Sequence, residues 1–128
     1  AIKLAGNDVS MLATIAFEMQ HAGAFADCIS TLDKAIVQKD VAELRLQRGL
    51  CKMGAKDKDG SLADLQAAVQ KDDKLAPAHF YLGGRLAEAG KLKEAQAEYD
   101  AYLKLAPNGP LAKQAQERSK FIKDKLKK

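Results

Sequence analysis

The sequence has no tryptophan, and phenylalanine and tyrosine together supply only 5% of its 128 residues. A core without large rings must be filled by small side chains, which lets helices approach closely and favours stacked helical hairpins. Val, Ile and Thr number 11 in all, too few to build a sheet. The two cysteines, Cys28 and Cys51, have no CxxC spacing, which excludes a zinc knuckle and a dithiol redox motif. Both fall within helical patterns and are expected to be buried, neighbouring free thiols, because helix cores rarely meet disulfide geometry. No apolar run approaches the ~18 to 20 residues of a bilayer-spanning helix.

Alanine (23) and leucine (16) dominate, and Ala, Glu, Lys, Leu and Arg together make 66 of the 128 residues. With 47% hydrophobic and 30% charged residues, the chain is an all-helical globular protein rather than a polar disordered tract. Its length suits one domain, spanning 1–128. The net charge is +4, but residues 110–128 alone carry +5 and the remainder −1. A nearly neutral body argues against a specific nucleic-acid footprint. The basic tail reads first as a solvated helix face and second as a patch for acidic lipid or nucleic acid. The chain opens on Ala1 without Met and shows no signal peptide, so it reads as an excised or processed fragment of unassigned compartment.

Internal repetition decides the architecture. Cys28, Leu32, Ala35 and Ile36 align with Ser61, Leu65, Ala68 and Val69, and again with Ala95, Tyr99, Tyr102 and Leu103, at spacings of 33 and then 34. In each row the apolar positions fall on one face of a helix. A second helical stretch precedes each row, at roughly 9–22, 42–54 and 77–89. Gly23 and Gly90 stand at the turns as C-terminal caps, and Ser61-Leu62-Ala63-Asp64 reads as a capping box.

The segment from Ala76 to Gly109 carries Leu82, Gly83, Leu86, Gly90, Ala95, Tyr99 and Pro107. It resembles the tetratricopeptide repeat, a 34-residue helical hairpin, in spacing, small residues and closing proline. It departs at Tyr102, where the family usually has Ala, and at His79, where it prefers a large aromatic. The unit at about 9–41 keeps Ala16, Gly23, Leu32 and Ala35; that at about 42–75 keeps Gly49, Leu65 and Ala68 but has a degenerate turn. The resemblance implies a right-handed α-α superhelix of three hairpins, closed by a capping helix over 110–128 that begins near Pro110.

Little in the chain suggests catalysis. Asp57, Asp59 and Gly60 imitate part of a calcium loop, but the first and twelfth ligand positions fall on Ala55 and Gln66. Glu18 and His21 match one half of a di-iron helix motif whose second half is missing. Cys28 and His21 lie on adjacent helices without a phosphate loop, oxyanion hole or cofactor fingerprint. The expectation is a non-enzyme with no cofactor and no metal.

The resemblance implies peptide binding on a concave surface lined by the first helix of each repeat. Family groove positions map to Ala13, Phe17, Gln20 and His21, and to Phe80, Tyr81, Gly84 and Glu88, with core packing the competing reading for Phe17 and Phe80. The carboxylate clamp of chaperone-tail binders is absent, since its positions read Ala13, Phe17, a residue near Gln47, Pro77 and Tyr81. In the middle unit Arg45, Arg48, Lys52 and Lys56 share one helix face. As unpaired cations they are expected to meet solvent, forming a basic stripe in the groove for an acidic peptide with an apolar anchor. The competing reading pairs them with acids such as Asp33, Asp64 or Glu88. The function so implied is protein–protein interaction; the alternative is a scaffold that self-associates.

Overall fold

The computed structural model describes residues 8–128, and these form seven α-helices and no strand: α1 (Val9–His21), α2 (Phe25–Gln38), α3 (Ala42–Gly54), α4 (Lys58–Lys71), α5 (Ala76–Glu88), α6 (Leu92–Leu105) and α7 (Ala112–Leu126). Among the described residues no helix is long and apolar enough to cross a membrane. The chain forms two compact units, the first ending at Lys71 and the second running from Asp72 to Lys128. The first holds the hairpins α1–α2 and α3–α4, with α2 against α3; the second holds α5–α6, with α7 against α6.

Local chemistry sets the helix ends. Asp8 caps α1, its carboxylate accepting from the backbone N–H of Ser10 at 2.8 Å and of Met11 at 3.3 Å. The first helix of each hairpin ends in one and the same way. A left-handed residue, Gly23 (φ 80°), Lys56 (φ 66°) or Gly90 (φ 81°), turns the chain. The next N–H then reaches back five residues: Ala24 to Met19, Asp57 to Lys52, Lys91 to Leu86. This is the Schellman closure. The middle hairpin makes it with a lysine, which no glycine in the sequence announces. The expected capping box also moves. α4 begins at Lys58, Asp57 caps it by accepting from the Gly60 N–H at 3.0 Å, and Ser61 and Asp64 lie buried inside the helix.

The core of the first unit is built from Leu12, Ala16, Leu32, Ala35, Ile36 and Leu44 around Cys28 and Cys51. These cysteines are joined in a disulfide, correcting the expectation of free thiols. Cys28 near the start of α2 and Cys51 late in α3 bring their Cα atoms to 6.2 Å, within the span a disulfide bridges. The bridge ties one hairpin to the next.

The second unit concentrates the aromatic residues. Phe80 meets Tyr81, Tyr99 and Tyr102 edge-on, with centroids 5.3, 5.5 and 5.8 Å apart, the geometry ring quadrupoles favour. Gly83 admits Tyr99, whose ring atoms lie 3.2 Å from where a Cβ would stand. His79, where the repeat resemblance leads one to expect a large aromatic, makes a polar fastening instead. Its Nδ1 lies 2.6 Å from Glu98 Oε1 and its Nε2 2.7 Å from the Asp73 carbonyl, so one buried ring ties α5 to α6 and to the preceding turn.

Candidate functional site

The basic stripe is where sequence and structure part. Arg45, Arg48 and Lys52 do share one face of α3, but that face turns onto α4 rather than solvent. Asp64, its side chain only 3% exposed, accepts from Arg48 Nε and Nη2 at 2.8 Å each, and pairs with Lys52 Nζ at 3.0 Å and Arg45 Nη1 at 3.4 Å. Arg45 also forks onto Asp40 at 2.8 Å through two nitrogens, and Arg48 reaches Asp33 at 2.8 Å. The three cations are therefore not unpaired; the competing reading of internal pairing with Asp33 and Asp64 describes them.

Burial pushes the Asp64 carboxyl up, but the hydrogen bonds from Arg48 and Lys52 outweigh it and hold the group below its usual value. The Arg45 fork lowers Asp40 to about 2. Lys56, the fourth member of the stripe, stands exposed in the turn.

With that face occupied, the open side of α3 is apolar. Leu46, Leu50 and Met53 are half-buried along it. Gln47 donates to the Ala13 carbonyl at 2.8 Å and fastens α3 to α1. At the far end of the two helices Gln20, His21, Phe25, Leu50 and Met53 line a depression of about 350 Å³. His21 is exposed, with Nδ1 2.9 Å from the Phe17 carbonyl and its ring 4.1 Å from that of Phe17. Phe17 itself is 55% exposed, so it does not belong to the core. The structure thus brings Gln20 and His21 together with Leu50 and Met53 of α3, which the expected groove positions did not include.

In the second unit the four expected groove positions separate. Phe80 is a core residue, 3% exposed, sealed by the Arg118 guanidinium 4.9 Å above its ring. Tyr81 is half-buried and edges against Phe80. Gly84 and Glu88 line a cleft of about 480 Å³ whose other wall is α7. Glu88 pairs with Arg85 at 2.8 Å. Arg118, Phe121 and Lys125 of α7 also border this cleft; from the sequence their helix reads as a cap with a solvated basic face, or a patch for acidic lipid or nucleic acid, and not as a cleft wall.

No protein-family model and no curated protein sequence matches this chain. Solved structures do. The type III secretion translocator chaperone SycD of Yersinia enterocolitica is 19% identical with a TM-score of 0.87, covering 98% of this chain and 90% of that one. The same chaperone in complex with a peptide of the translocator YopD gives 20% identity and a TM-score of 0.84 over 91% of this chain and 93% of that one. The first tetratricopeptide domain of Spaghetti (RPAP3), bound to the HSP90 peptide SRMEEVD, gives 20% and 0.85 over 94% of each chain. These likenesses establish the fold: an all-α tetratricopeptide-repeat solenoid.

Proposed function

We propose that this chain is a non-catalytic peptide-binding module. In the first unit its site is the α1–α3 surface, formed by Ala13, Phe17, Gln20 and His21 with Leu50 and Met53 in place of Arg45, Arg48 and Lys52. The second unit, taken by itself, presents a surface of its own on α5, with Tyr81, Gly84 and Glu88. The carrying observation is Phe17, an aromatic ring 55% exposed and packed on His21, which lines one depression with half-buried Leu50 and Met53. An exposed aromatic ring near a shallow depression lined by half-buried leucine and methionine suits an extended or helical segment with apolar anchors. The similar structures that hold a YopD peptide and an HSP90 peptide support the same reading.

Random dodecapeptides displayed on phage and selected on the immobilised full chain test it. Enrichment of sequences with apolar anchors is expected, and Phe17→Asp with Leu50→Asp should weaken the selected peptides roughly thirtyfold, as losing one buried anchor of ~2 kcal/mol implies. Both side chains reach solvent, so the double variant should melt near the parent. Absence of any enriched peptide, or affinities untouched by the double variant, would overturn the assignment. Concentration-dependent light scattering from the unliganded chain would favour a self-associating scaffold instead.

A further inference from the structure

The cleft between α5 and α7 has features that neither packing nor capping explains. Its floor is Gly84, in the middle of α5. A glycine there costs the helix about 1 kcal/mol relative to alanine. Unlike Gly83, it is not demanded by a neighbour. A Cβ at Gly84 would meet only Tyr99 Oη at 3.6 Å and Arg118 Nη1 at 3.9 Å, so the missing side chain leaves the cleft open down to those two polar groups.

Arg118 is the second feature. Arg45, Arg48 and Arg85 all pair with carboxylates; Arg118, the remaining arginine of the chain, pairs with none among the described residues. It is nonetheless held in place, stacked on Phe80 at 4.9 Å and donating to Tyr99 Oη at 3.4 Å. A guanidinium fixed over an aromatic face keeps its fork of N–H donors directed outward at little further entropic cost.

Two more groups complete the lining. Arg85 spends one arm on Glu88 at 2.8 Å and leaves its Nε buried without a partner. On the opposite wall Phe121 is 60% exposed, with Lys125 Nζ 5.1 Å from its ring centre. Counting Glu88 as spent on Arg85, the lining offers Arg118 and Lys125 against Glu117 alone, so it is net positive.

We infer that this cleft is an acid-reading peptide site of the second unit: it takes a segment in which an aspartate or glutamate side chain lies next to an apolar one. The carboxylate accepts from the Arg118 fork above Gly84, and the apolar neighbour lies on Phe121. The inference rests on the peptide-binding reading above and relocates acid recognition from α3, whose cations Asp64 consumes, to α7. α7 then forms a wall of the site as well as covering α6.

The dodecapeptides selected on the full chain provide the probe, each remeasured with its acids changed to the corresponding amides. Acids are expected beside apolar residues in the selected set. The acid-to-amide change should weaken binding about tenfold on the parent, the scale of a charge-assisted hydrogen bond. On Arg118→Gln acid and amide versions should bind alike. Gly84→Leu, which fills the floor, should weaken both versions together, and Arg118→Lys tests the fork against charge alone without disturbing the helix. Selected peptides lacking acids, or an acid-to-amide penalty equally large on Arg118→Gln, would overturn the inference. If Phe17→Asp with Leu50→Asp still weakened binding in that case, the peptide-binding reading would stand; selection of no peptide would remove both.

Discussion

Replacing Asp64 by Asn removes one buried charge and leaves the side-chain volume almost unchanged. Three cations then lose their shared partner, and their side chains are only 25%, 15% and 19% exposed for Arg45, Arg48 and Lys52. Removing one member of a buried ion cluster costs about 3–5 kcal/mol, because the remaining charges stay desolvated. Arg45 keeps Asp40 and Arg48 keeps Asp33, which places the expected loss near the lower end, at about 3 kcal/mol. For a chain of this length that is a melting shift of roughly 11 °C. Urea unfolding followed by far-UV circular dichroism measures it. The pH dependence gives a second reading. A carboxylate whose folded pKa is depressed contributes stability that is complete above its unfolded value of about 4 and is lost as pH falls through the folded value. Asp64 is lowered in this sense, and Asp40, lowered to about 2, adds to the same window. The acid limb of the parent should therefore be steeper below about pH 4 than that of Asp64→Asn. A loss under about 1 kcal/mol, the range of exposed pairs, together with an unchanged acid limb, would refute the buried-network account.

The disulfide should contribute about 3.4 kcal/mol by restricting the unfolded chain, since it joins residues 23 apart in sequence; equal urea midpoints for the oxidised protein and Cys28→Ala/Cys51→Ala would contradict this, and so would a non-reduced mass without the loss of two hydrogens. Lys56→Gly should stabilise by about 1 kcal/mol, because φ 66° is strained for a side chain with a Cβ; an unchanged or lower melting temperature would show that the lysine makes compensating contacts. The adjacent glycines of α5 should respond with opposite signs. Gly84→Ala gains roughly 0.5–1 kcal/mol of helix propensity, whereas Gly83→Ala drives a methyl against the Tyr99 ring 3.2 Å away and loses roughly 1–3 kcal/mol. Matching effects at the two positions would sink the argument for an open floor.

The recurrences at 33 and 34 residues carried most of the fold, because every hairpin repeats one physical solution. Small residues sit where helices cross: Ala16, Gly49 and Gly83 in the first helices, Ala35 and Ala68 in the second, all buried. The left-handed turn residue falls at 23, 56 and 90, but composition announces only the two glycines. At Lys56 the same backbone is imposed by the hairpin against residue preference, so the turn looked degenerate. The disulfide was hidden for a similar reason. Each cysteine occupies a buried helical position that would serve equally well for a small apolar residue, and only the spacing between α2 and α3 decides whether the sulfurs meet.

The misreading of the α3 stripe has a more specific cause. Spacing alone placed Arg45, Arg48 and Lys52 on one face, but whether a charged face meets solvent depends on what another element brings to it. That element was α4, whose buried face runs Ser61, Asp64, Leu65 and Ala68. Read as a capping box, Ser61 and Asp64 were assigned to a helix start; read by the repeat alignment, Ser61, Leu65 and Ala68 were core positions, and Asp64 lies on the same stripe at helical spacing. An acid on a core stripe requires a cation opposite it. The alignment even supplies the partner. Arg45 and Asp64 are 19 residues apart, and so are His79 and Glu98. Shifting the first pair by the 34-residue repeat gives the second. One slot between the two helices of a hairpin is thus filled by an ion pair in the middle hairpin and by a histidine–glutamate pair in the last. In the first hairpin the corresponding residues are Leu12 and Thr31, which carry no charge. Polar residues that recur at a fixed separation inside a repeat are better read as partners across the hairpin than as separate surface features. By that rule the cations of α3 belong to the fold, and the arginine left over for a ligand is Arg118.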